Sequence, residues 1–443
     1  MDLNAIAKAP PADGYLFSRG QAWFAFAMTL GLMIFDYVDR QVIVSLFPYL
    51  KAEWNLSDKQ LGALVSVVSV TVALGALPVA LFADRVSRVK SIVAMATVWS
   101  LATISCMWAR SYGMLMAARA TVGMGEAGYG SVGAALIASH FPSRMRGAVL
   151  AGFFASASVG SVLGVMLGGV IATHWGWQAA FGVVGIPGLV FALLYLKVRD
   201  YHTVELAPAL DAKRNSLLRT TRHIVGLLVQ APTMLWVCIG GAAQLIVVSA
   251  LWSWLPSFLN RVHGIAPAQA GMKAALVVLC GAAGAVVWGA VVDRAGSLRP
   301  RRRLATMALL CVASMAVLVA SFGLSLSAPA QFALIALGGF MATCTVGPVT
   351  AIVIDVIHPG VRATGSSVLA LFQNLFGLAA GPFLAGTMSD AWGLTTALTA
   401  TPLFALVAAA AFVLAANSYE ADKARAAEPL ESEPAASAPT ALA

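Results

Sequence analysis

Charge is what this 443-residue chain has least of. Asp, Glu, Lys and Arg make up 11% of it against 60% hydrophobic residues, where a soluble domain carries about 25% charged residues. That scarcity excludes a soluble enzyme, a disordered chain and a nucleic-acid binder, although 28 Lys+Arg against 19 Asp+Glu, a net +9, would invite the last reading in a soluble protein. The five cysteines (Cys106, Cys238, Cys280, Cys311, Cys344) are odd in number and all fall in apolar segments. They imply no disulfide framework and read as small packing residues. All six histidines (His140, His174, His202, His223, His263, His358) lie in loops or at helix ends, so haem or metal ligation inside a membrane lacks its usual ligand. With no nucleophile–base pair evident, no enzyme, cofactor or metal is expected. Residues 1–20 lack a signal-peptide apolar core, so no cleavage is expected.

Long apolar runs are what the chain does have. They fall at 21–47, 60–83, 91–109, 112–138, 148–173, 179–197, 233–258, 269–292, 304–324, 329–356, 364–388 and 395–416, each near the ~20 residues that cross a bilayer. With the N-terminus on the cytoplasmic side, 21 Lys and Arg fall in that compartment. Five lie outside (Lys51, Lys59, Arg110, Arg261, Lys273) and two within the membrane (Arg40, Arg119). This is the positive-inside asymmetry of a multi-pass protein with both termini cytoplasmic. The one long polar interruption, 198–229, reads as a linker between halves at 21–197 and 230–416, after a short N-terminal segment 1–20. From 417 to 443 the chain turns rich in Ala, Glu, Pro and Ser, and is expected to be a disordered tail.

The halves repeat. Asp84-Arg85 recurs as Asp293-Arg294, Arg146 as Arg362, and Gly164 with Gly168-Gly169 as Gly381-Pro382 with Gly386, at offsets of 209, 216 and 217. Near-constant offsets in chain order indicate a duplicated six-helix unit. The expected fold is an all-α membrane protein of twelve transmembrane helices in two pseudo-symmetric six-helix bundles. A pair of halves around midplane charges suits alternating access better than a channel.

These features resemble the major facilitator superfamily of secondary transporters. Its loop motif, Gly-x-x-x-Asp-Arg-x-Gly-Arg-Arg, has two counterparts here: Ala80 with Asp84-Arg85-Val86-Ser87-Arg88, and Gly289 with Asp293-Arg294-Ala295-Gly296. A narrower resemblance is to the Spinster-like branch. Asp36-Tyr37-Val38-Asp39-Arg40 is similar to its Asn-aromatic-x-Asp-Arg signature in helix one, with Asp36 in place of Asn. Arg119 through Gly123, Gly125, Glu126, Ala127 and Tyr129 is similar to its Arg-Gly-x-x-Gly-x-Gly-Glu-Ala-x-Tyr signature in helix four, with Ala120 in place of Gly. The resemblance implies a transporter in which the matching Asp39, Arg119 and Glu126 line the central cavity. It also implies a cytoplasmic gating latch at Asp84, Arg85, Arg88, Asp293 and Arg294.

Charges at bilayer depth are costly and need a reason to be there. Asp36, Asp39 and Arg40 share neighbouring parts of one helix face, and Arg119 and Glu126 stand two turns apart on another. One reading makes them ion pairs locking helix one to helix four. The other makes Asp39 and Glu126 proton carriers, with Arg119 alternating between them or the substrate. On that reading Gly123 and Gly125 leave room for water beside Glu126. Arg40 either pairs with Asp36 or contacts substrate. Gly160, Gly164 and Gly168 form a stripe for close helix approach.

The second half offers no mid-membrane charge, only cavity candidates Gln244, Trp252 and Trp254, Thr343 and Thr345, and Gln373 and Asn374, joined by Tyr129 from the first half. A cavity charged on one side and apolar-aromatic on the other suits a small organic anion or an amphipathic lipid-like solute, moved with protons. The expected partners are that solute, protons and membrane lipids, with the chain acting as a monomer. A non-transporting sensor with the same fold is the competing reading. The Ala/Gly-rich composition points to a bacterial cytoplasmic membrane.

Overall fold

The computed structural model describes residues 14–200, 231–357 and 362–427. Nearly all of the 198–229 linker, and residues 428–443, lie outside the described residues. Among the described residues the chain is helical, with no strand, and its helices form twelve spans.

In the first half, span one joins α1 (Arg19–Val42) through a 3₁₀ turn (Ile43–Leu46) to α2 (Phe47–Trp54). Span two is α3 (Asp58–Val86) and span three α4 (Arg88–Ser105). Span four divides into α5 (Tyr112–Glu126) and α6 (Tyr129–His140), span five is α7 (Ser143–Trp175) and span six α8 (Trp177–Tyr195). In the second half, spans seven to nine are α9 (Pro232–His263), α10 (Pro267–Leu298) and α11 (Pro300–Gly323). Span ten divides into α12 (Ala328–Ala342) and α13 (Val346–Asp355). Span eleven joins α14 (Arg362–Phe372), a π-helical turn (Gln373–Leu378) and α15 (Ala380–Trp392), and span twelve α16 (Leu394–Ala400) and α17 (Phe404–Ala427). Eleven of these are long and apolar enough to cross a membrane. Span four falls short, because it carries Arg119, Glu126 and six glycines.

Local chemistry sets the ends. Pro232, Pro267 and Pro300 each open a helix, where proline lacks only an N–H that would have no partner. Ser57 and Gln60 form a reciprocal capping box on α3. The duplication is visible in backbone geometry: Gly176 and Gly393 (φ 82° and 83°) make the same turn before spans six and twelve. The 15-residue helices α5 and α12 start 216 residues apart, at 112 and 328, and each is followed by a break.

Small residues let the spans cross closely. A Cβ at Gly160, Gly164 or Gly168 would lie 2.3, 2.6 and 2.6 Å from the carbonyl oxygens of Ile34, Val38 and Val42, so span one lies directly on the backbone of span five. The second half repeats this between spans seven and eleven. There Gly377 and Gly381 face Leu245 and Ser249, and Ser249 Oγ donates to the Gly377 carbonyl at 3.1 Å. The π turn precedes Pro382, which has no N–H for the Leu378 carbonyl and whose ring crowds it; the backbone responds by widening. In that turn the Ala379 N–H reaches back to Asn374 O at 2.9 Å.

One expectation needs correction. The tail is not irregular from 417, because α17 continues to Ala427. Tyr419 and Asp422 are buried, and Asp422 Oδ2 accepts the Thr233 N–H at 2.9 Å, capping the start of α9 from the far end of the chain.

Candidate functional site

Span one runs away from the terminal end of the bundle and span four runs back towards it, so equal depths on the two are met in opposite order. Asp39 and Arg119 share one level. Arg119 Nη1 lies 2.9 Å from Asp39 Oδ1 and 3.2 Å from the Asp39 carbonyl oxygen, with the two side chains 0% and 2% exposed. A third helix joins them: Thr103 in α4 donates its hydroxyl to Asp39 Oδ2. Sequence reading missed Thr103, since a lone threonine in an apolar span carries no signal.

Asp36, Arg40 and Glu126 form the second level, nearer the terminal end. Side chains on a helix tilt toward its N-terminus, so Arg40 reaches back one turn. Its Nε lies 3.2 Å from Asp36 Oδ1 and 2.9 Å from Glu126 Oε2. The guanidinium also lies 5.4 Å from the centre of the Tyr37 ring. Arg40 is 16% exposed while Glu126 is 0% exposed. Arg119 is therefore not shared between Asp39 and Glu126: it pairs with Asp39, while Arg40 pairs with both Asp36 and Glu126.

The two levels differ in how fully they are satisfied. Neither carboxylate oxygen of Glu126 has an aligned hydrogen bond among the described residues, and Arg119 Nε and Nη2 are also without one. Gly123 and Gly125 do not open space for water beside Glu126. A Cβ at Gly123 would meet Thr71 Oγ1 at 2.0 Å and the Val68 carbonyl at 2.5 Å, and one at Gly125 the Trp99 backbone nitrogen at 2.6 Å. These glycines admit spans two and three instead.

Most of the cavity candidates have structural partners within their own halves. Tyr129 is buried against Trp99 and Phe153, its hydroxyl donating to Thr29 O at 2.6 Å. Gln244 Nε2 donates to Ser314 Oγ (3.2 Å) and Ala342 O (2.9 Å), tying together spans seven, nine and ten. Thr343 Oγ1 donates to Gly281 O at 2.7 Å, and Thr345 is buried. Trp254 is buried away from the midplane, its Nε1 donating to Pro382 O at 3.0 Å and its ring on Phe47. Gln373 and Asn374 open the π turn, Asn374 bonding Ala370 O in its own span at 2.9 Å. Trp252 is half-buried, and its Nε1 is a donor without a partner among the described residues.

Of the latch residues, the Asp84 and Arg85 side chains lie outside what is described. Arg88 Nη1 donates to Ser139 Oγ at 3.3 Å, while Ser87 Oγ donates to Asp200 at 2.8 Å. Asp293 is 2.5 Å from Arg303 Nη2, and Arg303 Nη1 is 2.8 Å from Asp355 Oδ2, which also accepts the Tyr419 hydroxyl at 3.1 Å. Arg294 is exposed.

Two six-helix halves, one of them carrying ion-paired carboxylates at bilayer depth, define a multi-pass integral membrane transporter. The Major Facilitator Superfamily model matches residues 29–381 and 237–442, and the chain belongs to that family. It is similar to Protein spinster homolog 3 of Danio rerio, 25% identical over 84% of this chain and 78% of that one. It is likewise similar to the gallate transporter of Pseudomonas putida, 27% identical over 90% and 92%. Its fold matches a bacterial homologue of the lysosomal transporter Spinster in an inward-facing, unoccupied conformation, with TM-score 0.80 and 22% identity over 92% of this chain and 99% of that one.

Proposed function

We propose that this chain carries an organic anion with protons by alternating access, in a bacterial cytoplasmic membrane with both termini cytoplasmic. The observation that carries this reading is the sharing of Arg40 between Asp36 and Glu126, next to an independent Arg119–Asp39 pair. Of the two guanidiniums Arg40 is the less buried, 16% exposed against 0% for Arg119, so an incoming carboxylate meets it first. Drawing Arg40 toward the anion leaves Glu126 enclosed with no counter-ion, and protonation relieves that state. Anion and proton then bind as linked events, and a proton gradient drives solute movement. The relative that moves gallate supports an aromatic carboxylate as the first probe, and the half-buried Trp252 offers it an apolar face. The Arg119–Asp39–Thr103 set fixes span one against spans three and four while Arg40 moves.

The test is flux in proteoliposomes under an imposed pH gradient, with labelled gallate, a sugar acid and a lysophospholipid as probes. The expected result is accumulation of an anionic probe accompanied by proton movement. Equilibration of the probes without accumulation under the gradient would contradict proton coupling. No flux with any probe would favour the sensor reading.

A further inference from the structure

The closest contacts between the halves lie at the end opposite both termini. Gly62 and Gly386 allow backbone to cross backbone there: a Cβ on Gly62 would lie 2.3 Å from the Pro382 carbonyl, and one on Gly386 2.4 Å from the Asp58 carbonyl. Ser66 Oγ donates to Ala379 O at 2.5 Å. At the rim of this seam sits Asp58, the first residue of α3, 3% exposed. Its Oδ1 lies 2.5 Å from Lys51 Nζ in its own half. Its Oδ2 takes Arg261 Nη1 at 2.7 Å and Ser389 Oγ at 2.5 Å, both from the other half.

The backbone of the same residue is engaged as well. An α-helix begins with four N–H groups that have no helical partner. In α3 the Ser57 N–H goes to Gln60 Oε1 at 2.9 Å and the Gln60 N–H to Ser57 Oγ at 3.2 Å. Those of Asp58 and Lys59 go to Oδ1 and Oδ2 of Asp390, each at 2.8 Å. Asp390 belongs to the other half, so its carboxylate sits on the positive end of the α3 dipole only while this end of the transporter is closed.

We propose that Asp58 and Asp390 form an electrostatic lock on the outer gate: two reciprocal carboxylate contacts that hold the inward-facing state and separate whenever the outer side opens. The partners sort by half. Opening strips Asp58 of Arg261 and Ser389 and strips Asp390 of the α3 N-terminus, while Lys51 travels with Asp58 and keeps its charge compensated. Arg261 therefore stabilises the closed state specifically, and Lys51 serves both states.

That sorting gives a readout that a merely stabilising salt bridge lacks. Spin labels at Arg110→Cys and Leu324→Cys, both exposed at this end of opposite halves, report the gate. Cys280→Ser removes the one native cysteine that is not buried. Asp58→Asn and Arg261→Gln should each raise the ratio of long-distance to short-distance populations at least tenfold, whereas Lys51→Gln should leave it unchanged or lower it. Wild-type distributions in both Asp58→Asn and Arg261→Gln, or equal shifts in Arg261→Gln and Lys51→Gln, would overturn the lock. Should Asp58→Asn fail to fold, the contrast between Arg261→Gln and Lys51→Gln decides alone. The distances need no substrate, so their outcome is separate from that of the proton-coupling proposal.

Discussion

The two halves share a frame and differ in what fills it. Span one lies on the glycines of span five as span seven lies on those of span eleven. Spans four and ten break at corresponding places. At the level of that break the first half holds Asp36, Asp39, Arg40, Arg119 and Glu126, while the second holds Gln244, Ser314 and Thr343, neutral groups bonded to one another and to backbone. Duplication conserved the helix crossings, which packing requires. The charges are confined to one half, where a buried ion costs several kcal/mol unless compensated.

If that contrast is correct, substitutions in the frame should act alike in both halves and substitutions in the fill should not. The largest effect is expected from Arg119→Ala. It leaves Asp39 buried with only Thr103, and removing one member of a buried pair costs about 3–5 kcal/mol, which should appear as loss of folded protein in a detergent thermal-unfolding assay. Next come Gly164→Leu and Gly381→Leu, corresponding positions whose side chains would collide with the Val38 carbonyl and with Ser249. Each should cost about 1–3 kcal/mol of overpacking, and a large difference between them would break the claim of a shared frame. Thr103→Val should cost about 1 kcal/mol, as expected for one lost hydrogen bond. Gln244→Leu, in the neutral half, should cost about 0.6 kcal/mol, the average for a polar contact between membrane helices. Measured by thermal unfolding, a Gln244 effect as large as that of Arg119 would erase the distinction.

The twelve spans and the five charges at bilayer depth were legible in the sequence, because an apolar run of membrane length and a charge inside it are both local signals. Pairing was not. Arg119 and Glu126 share a helix face, but seven residues at 1.5 Å rise separate them by about 10 Å along the axis, too far for one guanidinium to serve both levels. Arg40 takes Glu126 because it reaches back along its own helix, which depends on how spans one and four are set against each other. The outer lock was illegible for a similar reason. Asp58, Arg261 and Asp390 stand at helix ends, where single charges are ordinary, and up to 332 residues separate the partners. The π turn before Pro382 was not legible either, since proline marks the place of a helix distortion but not its form.

In the proposed mechanism Glu126 carries the coupled proton as Arg40 moves, while Asp39 and Arg119 hold span one against span four. Glu126→Gln is the direct test, because it keeps the shape while removing the charge that Arg40 compensates. In proteoliposomes the variant should lose accumulation driven by a pH gradient, while counterflow exchange of the same labelled anion survives within a few-fold of wild type. If Glu126→Gln still concentrates the anion against its gradient with wild-type pH dependence, Glu126 is a structural ion-pair partner and the mechanism is contradicted.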